Sequence, residues 1–198
     1  MTYKQQLSKD KKLLKILQDE THELQSHSNI TLRLIASIIS QQLSTKVAKV
    51  IYQRFLDLYG KKEPKPQQII ETSIETLRSV GLSNAKASYV KNVAAFCLEH
   101  KITDQKLNAL SDKEIIELLT QIKGVGSWTV EMLLMFSLGR EDVFAVDDLG
   151  IQQAMIKLYK LENLDKKALK QKMISISEKW SPHKTYACLH LWSWKDNG

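Results

Sequence analysis

Apolar residues recur along most of this chain at the three- and four-residue spacing of a single helix face. Leu13, Leu14 and Leu17 form one stripe, and Ile35, Ile38 and Ile39 a second. Val47, Val50, Ile51, Phe55 and Leu58 form a third, and Ile115, Leu118, Leu119 and Ile122 a fourth. Each stripe predicts a helix with one side buried. No segment alternates apolar and polar residues convincingly enough for a half-buried strand, so the expected class is all-α. The punctuation agrees. Gly60 followed by KKEPKP reads as a loop, and Val80-Gly81-Leu82-Ser83 as a turn in which Ser83 caps a helix running towards His100. Ser111 with Glu114 three residues later is a capping box and starts a further helix. No internal repeat or low-complexity tract is visible.

Charge narrows the choice of partner. The 198 residues carry a formal charge of +7, with an isoelectric point near 9.3. Such a balance favours a polyanion, because each Lys or Arg that neutralises a phosphate releases a condensed counterion. Basicity alone is shared by many proteins and does not name the polyanion. The length suffices for one domain or two small lobes. Cys97 and Cys188 stand alone in the sequence. They supply neither a four-thiolate iron–sulfur or zinc site nor a disulfide framework, so a reducing cytoplasm is the simplest reading, with nucleoid association in a prokaryote. His22, His27, His183 and His190 lack the spacing of a transition-metal site. The N-terminal residues mix charge with apolar positions unlike a signal peptide, and no apolar run is long enough for a bilayer, so no membrane partner is expected.

The densest chemistry lies in LLTQIKGVGSWTVEMLLMFSLGREDVFAVDDLGIQQ, from Leu118 to Gln153. An apolar helix end meets a Gly-x-Gly turn, a second helix opens on Ser-Trp-Thr, and Asp147-Asp148 begins a third. Gly124 and Gly126 leave the backbone bare, so the amides that follow can approach an anion such as a DNA phosphate. On local grounds either aspartate reads as a helix cap. An acid at a helix N-terminus is also favoured as the anion by the amides around it.

IKGVGSWT and VFAVDDLGI resemble the helix-hairpin-helix and catalytic-aspartate region of the helix-hairpin-helix/Gly-Pro-Asp DNA glycosylases, and within them the DNA-3-methyladenine glycosylase II branch. LIASIISQQLSTKVAKVIYQR resembles that branch's early Gln-rich helix junction, GLSNAKASYVKNVA its mid-chain helix, and WSPHKTYACLHLWSW its C-terminal segment. The likeness runs from about Thr31 to Trp194. Two departures stand out. Some members carry an N-terminal β-rich domain for which this chain has no room, and the proline often found before the paired aspartates is Val146 here, which implies a looser loop into the site.

The resemblance implies two helical lobes with an active-site cleft between them: residues 29–140 with the hairpin, and 1–28 plus 141–198 with the catalytic aspartate. Asp148 falls on that aspartate, leaving Asp147 as the cap. Trp128 stands where bifunctional relatives have a nucleophilic lysine, which implies hydrolysis without cleavage of the abasic site. Trp128, Trp192 and Tyr186 are the candidate walls of a pocket for an electron-poor alkylated purine. Trp128 and the C-terminal aromatics also suit ordinary core packing. Gln42 and Leu43 match the wedge that fills the gap left by an extruded base, and equally suit a helix cap and a core contact. Gly124, Gly126, Ser127 and Thr129 would meet the DNA backbone through amides or hydroxyls. A sodium or potassium ion on the carbonyls of Thr120, Ile122 and Val125 is the one ion implied; no cofactor is required and no iron–sulfur cluster is expected. The implied partner is duplex DNA containing damaged bases, bound by a monomer. The competing readings are a glycosylase for oxidised, deaminated or mismatched bases, and a non-catalytic helix-hairpin-helix DNA-binding protein.

Overall fold

A computed structural model describes residues 2–17 and 21–197, with the side chains of 2–17 and 21–196. Among the described residues every regular element is helical. The α-helices are α1 (Tyr3–Leu7), α2 (Ile30–Ser40), α3 (Thr45–Asp57), α4 (Pro66–Glu71), α5 (Ile74–Ser79), α6 (Asn84–Glu99), α7 (Asp104–Asn108), α8 (Asp112–Leu119), α9 (Ser127–Phe136), α10 (Leu149–Tyr159), α11 (Lys166–Ser177) and α12 (Lys184–Asn197). Two short 3-10 turns, Leu13–Ile16 and Glu178–Trp180, complete them. No described helix is long and apolar enough to cross a membrane.

The chain forms two compact units, Met1–Ser26 with Leu134–Gly198, and His27–Leu133. The second passage between them falls inside α9 rather than after Arg140, because the helix continues through it.

In the 27–133 unit α6 is the central helix and packs against α2, α4 and α5. Its Ala87, Val90, Val93 and Ala94 are buried, as are Leu34, Ile35, Ile38 and Ile39 of α2 and Ile69 of α4. Local signals set the boundaries. Ser83 Oγ accepts the Lys86 N–H, and Ser111 and Glu114 bond reciprocally at 3.3 and 2.8 Å, so orphan amides at both helix starts are satisfied. The α3 stripe is rotated from the expected one. Ala48 and Phe55 are buried with Ile51 half-buried, whereas Val47 and Val50 are nearly half exposed and Leu58 also reaches solvent. Alanine at 48 completes the i, i+3, i+7 face and goes inside because it is small, a cue that large apolar residues alone conceal.

The other unit is built from both ends of the chain. Its centre is α12 against α10, with the first 3-10 turn on α12 and α1 on the second. Leu13 and Ile16 are buried while Leu14 is 50% exposed, which corrects the expected Leu13–Leu14–Leu17 stripe. Three residues per turn put positions 13 and 16 on one side and turn 14 outward. Asp10 anchors this N-terminal segment. Its Oδ2 accepts Tyr159 Oη at 2.7 Å and the indole N–H of the fully buried Trp180 at 3.2 Å. Burial by itself raises the Asp10 carboxyl pKa, but the hydrogen bonds from Tyr159, from the Leu13 and Lys12 amides and from Trp180 outweigh it and hold it below the usual value.

Candidate functional site

Residues 140–148 lead from α9 to α10, and the first turn of α12 ties them down. Thr185 Oγ1 donates to the Arg140 carbonyl at 2.7 Å and accepts the Val143 N–H at 3.1 Å, while the Thr185 N–H donates to the Glu141 carbonyl at 2.9 Å. Val143, Ala145 and Val146 are buried, and Gln152 Nε2 donates to the Val146 carbonyl at 2.9 Å. The expectation of a looser loop, drawn from Val146 in place of a proline, is thereby corrected. Hydrogen bonds from two helices and three buried side chains supply the restraint.

Asp148 ends this loop as the N-cap of α10, its Oδ1 accepting the Ile151 N–H at 2.9 Å. The same oxygen accepts Trp192 Nε1–H at 2.8 Å. Two donors from different helices thus fix the carboxylate's orientation. Gly150 makes the indole contact possible. A Cβ there would lie 3.1 Å from Asp148 Oδ1 and 3.1 Å from Trp192 Cδ1, tighter than side chains normally tolerate. The ring of Phe136 lies 5.8 Å from that of Trp192, tilted by 33°. Phe136 is 45% exposed, and Leu149, next to Asp148 in the chain, is 67% exposed. Sequence reasoning missed both Phe136 and Gly150. Phe136 closes the run MLLMF and reads as core. Gly150 had a signal, because glycine in a first helical turn lowers helix stability and needs another reason to be there.

The roles of the paired acids are also corrected. Asp148 is itself the cap, and Asp147, expected to cap, is turned outward to Lys170, whose Nζ reaches its two carboxylate oxygens at 2.9 and 2.7 Å. Capping does not exclude a further role for Asp148, since a cap asks of the carboxylate only that it accept a hydrogen bond.

Tyr186 is not brought to Trp192. It is six residues earlier on α12, on a different face, and stacks on Tyr3 with centroids 4.1 Å apart. His183 lies edge-on to it and bonds Glu141 Oε2 through Nδ1 at 3.0 Å, and His190 packs between Tyr3 and His22. Tyr186 therefore belongs to a separate aromatic cluster, contrary to its expected place in a base pocket.

That cluster carries a pH signature. Burial, followed by the nearby His22 and Lys4, lowers the His190 pKa to about 4. Unfolded, the same imidazole titrates near ~6.5. As pH falls from 6.5 towards 4 the unfolded chain gains a proton that the native chain refuses, so stability present above 6.5 is lost through that window. Urea unfolding at pH 7 and 4.5 should show wild type losing about 2 kcal/mol more than His190→Gln. Equal losses would refute this.

In the 27–133 unit, α8 ends at Leu119 and the Gly-x-Gly turn leads into α9. Gly124 takes φ +104°, and a Cβ there would fall 2.2 Å from Tyr89 Cγ. The bare backbone at 124 is thus a packing requirement. Gly126 is different: nothing lies within 4 Å of its Cβ position, and both it and Ser127 are exposed. The first amides of α9 follow directly, and three of them belong to Ser127, Trp128 and Thr129. The Thr129 side chain is buried, its Oγ1 accepting Gln41 Nε2–H at 3.1 Å, which corrects the expectation of a hydroxyl facing DNA. Trp128 is half-buried in the first turn of α9. Gln42 is exposed with φ +59°, and Leu43 beside it is also exposed. Of the three carbonyls expected to hold a cation, that of Ile122 accepts the Val125 N–H at 3.0 Å and retains a second lone pair.

Comparison with known proteins accounts for this arrangement. The HhH-GPD superfamily of base excision DNA repair proteins matches residues 35–182. DNA-3-methyladenine glycosylase 1 of Schizosaccharomyces pombe is 38% identical over 161 residues, covering 80% of this chain and 69% of that protein. The DNA-3-methyladenine glycosylase of Saccharomyces cerevisiae is 32% identical over 200 residues, covering 91% and 66%. A Bacillus subtilis relative is 33% identical over 165 residues, which cover 80% of this chain and 56% of that protein. Among solved structures, the S. pombe 3-methyladenine DNA glycosylase Mag1 in complex with abasic DNA superposes with a TM-score of 0.84 at 33% identity, covering 97% of this chain and 95% of that one. The Bacillus halodurans DNA-3-methyladenine glycosidase gives 0.82 at 36%, covering 97% and 88%. With its family pattern matched over most of its length and its acid held at the head of α10, the chain belongs to the HhH-GPD superfamily of base excision DNA repair proteins.

Proposed function

We propose that this chain is a monofunctional DNA glycosylase that removes alkylated purines of the 3-methyladenine type from duplex DNA, acting as a monomer. The observation that carries the reading is the carboxylate of Asp148, oriented by the Ile151 amide and the Trp192 indole with Phe136 beside that indole. When the bond between deoxyribose C1′ and the base breaks, the electron pair leaves with the base and positive charge develops on the sugar. A fixed carboxylate stabilises that charge, water adds at C1′, and the water's proton passes to the carboxylate or solvent. An N-alkylated purine is cationic before it leaves and neutral afterwards, so it departs without much help from an acid. An electron-rich indole face suits recognition of that cationic ring. The relatives named as 3-methyladenine glycosylases support the same substrate class.

Trp128 at the start of α9 has no amine to form a Schiff base with the sugar, so the product is an intact abasic site. The exposed Gly126–Ser127 backbone and the first amides of α9 suit a DNA phosphate. A monovalent cation on the carbonyls of Thr120, Ile122 and Val125 would add positive charge there. The test is a panel of duplexes bearing an alkylated purine, hypoxanthine, 8-oxoguanine or a mismatch, assayed with and without alkali. The alkylated duplex should lose its base, with strand breaks only after alkali. Breaks without alkali would refute the monofunctional reading, release from oxidised bases alone the substrate class, and DNA binding with no release the enzyme itself.

A further inference from the structure

The turn between α2 and α3 is held in an unusual way. α2 ends at Ser40 with Gln41 rather than a glycine as its C-cap, at φ −49° and ψ 129°, which leaves carbonyls of its last turn in need of donors. Lys86 of α6 supplies them: its Nζ donates to the Ile39 carbonyl at 2.8 Å and to the Gln41 carbonyl at 2.6 Å. An ammonium at a helix C-terminus is also where the helix dipole favours positive charge. The side chain of Gln41 continues the connection. Its Nε2 donates to Thr129 Oγ1 at 3.1 Å and to the Gly124 carbonyl at 3.4 Å. The next residue, Gln42, is left in the left-handed region at φ +59°, exposed beside Leu43.

The same side of α6 holds the hairpin. Tyr89 fills the space where Gly124 lacks a Cβ, and Asn92 Nδ2 donates to the Lys123 carbonyl at 3.2 Å. Positions 86, 89 and 92 are spaced by three on one helix, so the anchor points span only about 9 Å along a rigid rod. α6 is itself clamped in the core of this unit.

We propose that Lys86 and Gln41 are positioning residues for base extrusion: they fix the exposed Gln42–Leu43 turn at a set distance from the phosphate-facing hairpin. The inference rests on the glycosylase reading above. Extruding a paired base costs a few kcal/mol of unpairing and unstacking. A turn that must occupy the resulting gap holds it only if it is braced against the element gripping the backbone. If Lys86 is lost, the turn is free to recoil while Asp148 and its partners are untouched. The penalty then depends on how firmly the target base is paired, which neither a folding defect nor a direct phosphate contact would produce.

The experiment compares single-turnover base release from an alkylated purine in a fully paired duplex and from the same purine opposite an abasic site. Lys86→Met should slow release from the paired duplex about 10- to 100-fold, and release from the unpaired one by less than about twofold. Equal slowing of both substrates, as a lost phosphate contact would give, or no slowing of the paired one, overturns the proposal. If Lys86→Met fails to melt cooperatively, Gln41→Met carries the same comparison, since it removes the amide bridge and keeps the volume. Wild-type protein that releases neither base would instead overturn the glycosylase reading, and this inference with it.

Discussion

Replacing Asp148 with Asn is expected to reduce base release at least roughly 1,000-fold while the protein folds as before. The geometry makes this substitution unusually informative. Two donors to the side chain, the Ile151 N–H and the Trp192 indole N–H, fall on Oδ1. Asparagine presents a carbonyl oxygen at that place and is as good an N-cap as aspartate. The cap and the indole contact therefore survive while the negative charge is lost. Alanine would be a poorer test, because it also removes the cap, worth about 1 kcal/mol. The measurement is single-turnover release of an alkylated purine alongside affinity for an abasic duplex. Affinity should hold while release disappears. An Asp148→Asn protein with a release rate within about tenfold of wild type would show that the carboxylate charge is not what drives bond breaking.

Gly124→Ala is expected to destabilise the protein by about 3 kcal/mol, and Gly126→Ala by well under ~1 kcal/mol. The first substitution meets two obstacles. At φ +104° an L side chain is strained, and its Cβ would overlap the Tyr89 ring at 2.2 to 2.6 Å. Tyr89 cannot move away easily, because α6 is clamped in the core by Val90, Val93 and Ala94, all fully buried. At Gly126 the Cβ position is open, so alanine fits the folded chain and acts only on what approaches from outside. Urea unfolding of the two variants would measure both effects. A stable Gly124→Ala protein would mean that the hairpin and α6 do not pack as described.

The helical class is legible because each helix must bury a stripe, and a stripe leaves its period in the sequence. Caps are legible for the same reason: Ser83, Ser111 and Glu114 act on amides three residues away, within the reach of local reading. Sequence reading fails where the deciding neighbour is distant along the chain. Tyr186 and Trp192 share one short segment, yet Tyr3 claims one and Asp148 the other. Thr129 looks free beside the glycine turn until Gln41, 88 residues away in sequence, takes its hydroxyl. Asp147 and Asp148 are indistinguishable by type, and only Lys170 and Trp192 separate their roles. Phe136 closes an apolar run and betrays nothing of its exposure. The position of Asp148 itself is legible through the resemblance; its indole partner's bond is not.

Asp10 anchors the N-terminal segment to Tyr159 and Trp180, and that anchorage orders events during synthesis. Residues 27–133 form one continuous stretch, and α6 at its centre packs on α2, α4 and α5 within that stretch, so this core can form as the stretch emerges. Leu7 and Leu13, translated earlier, must wait with their apolar surfaces uncovered until α10 and α12 leave the ribosome. The bond between Asp148 and Trp192 depends on those same two helices, so the Asp148 carboxylate is set in place only once α12 has been made. A nascent chain stalled short of α12 would thus carry a finished hairpin but an Asp148 still without its indole partner.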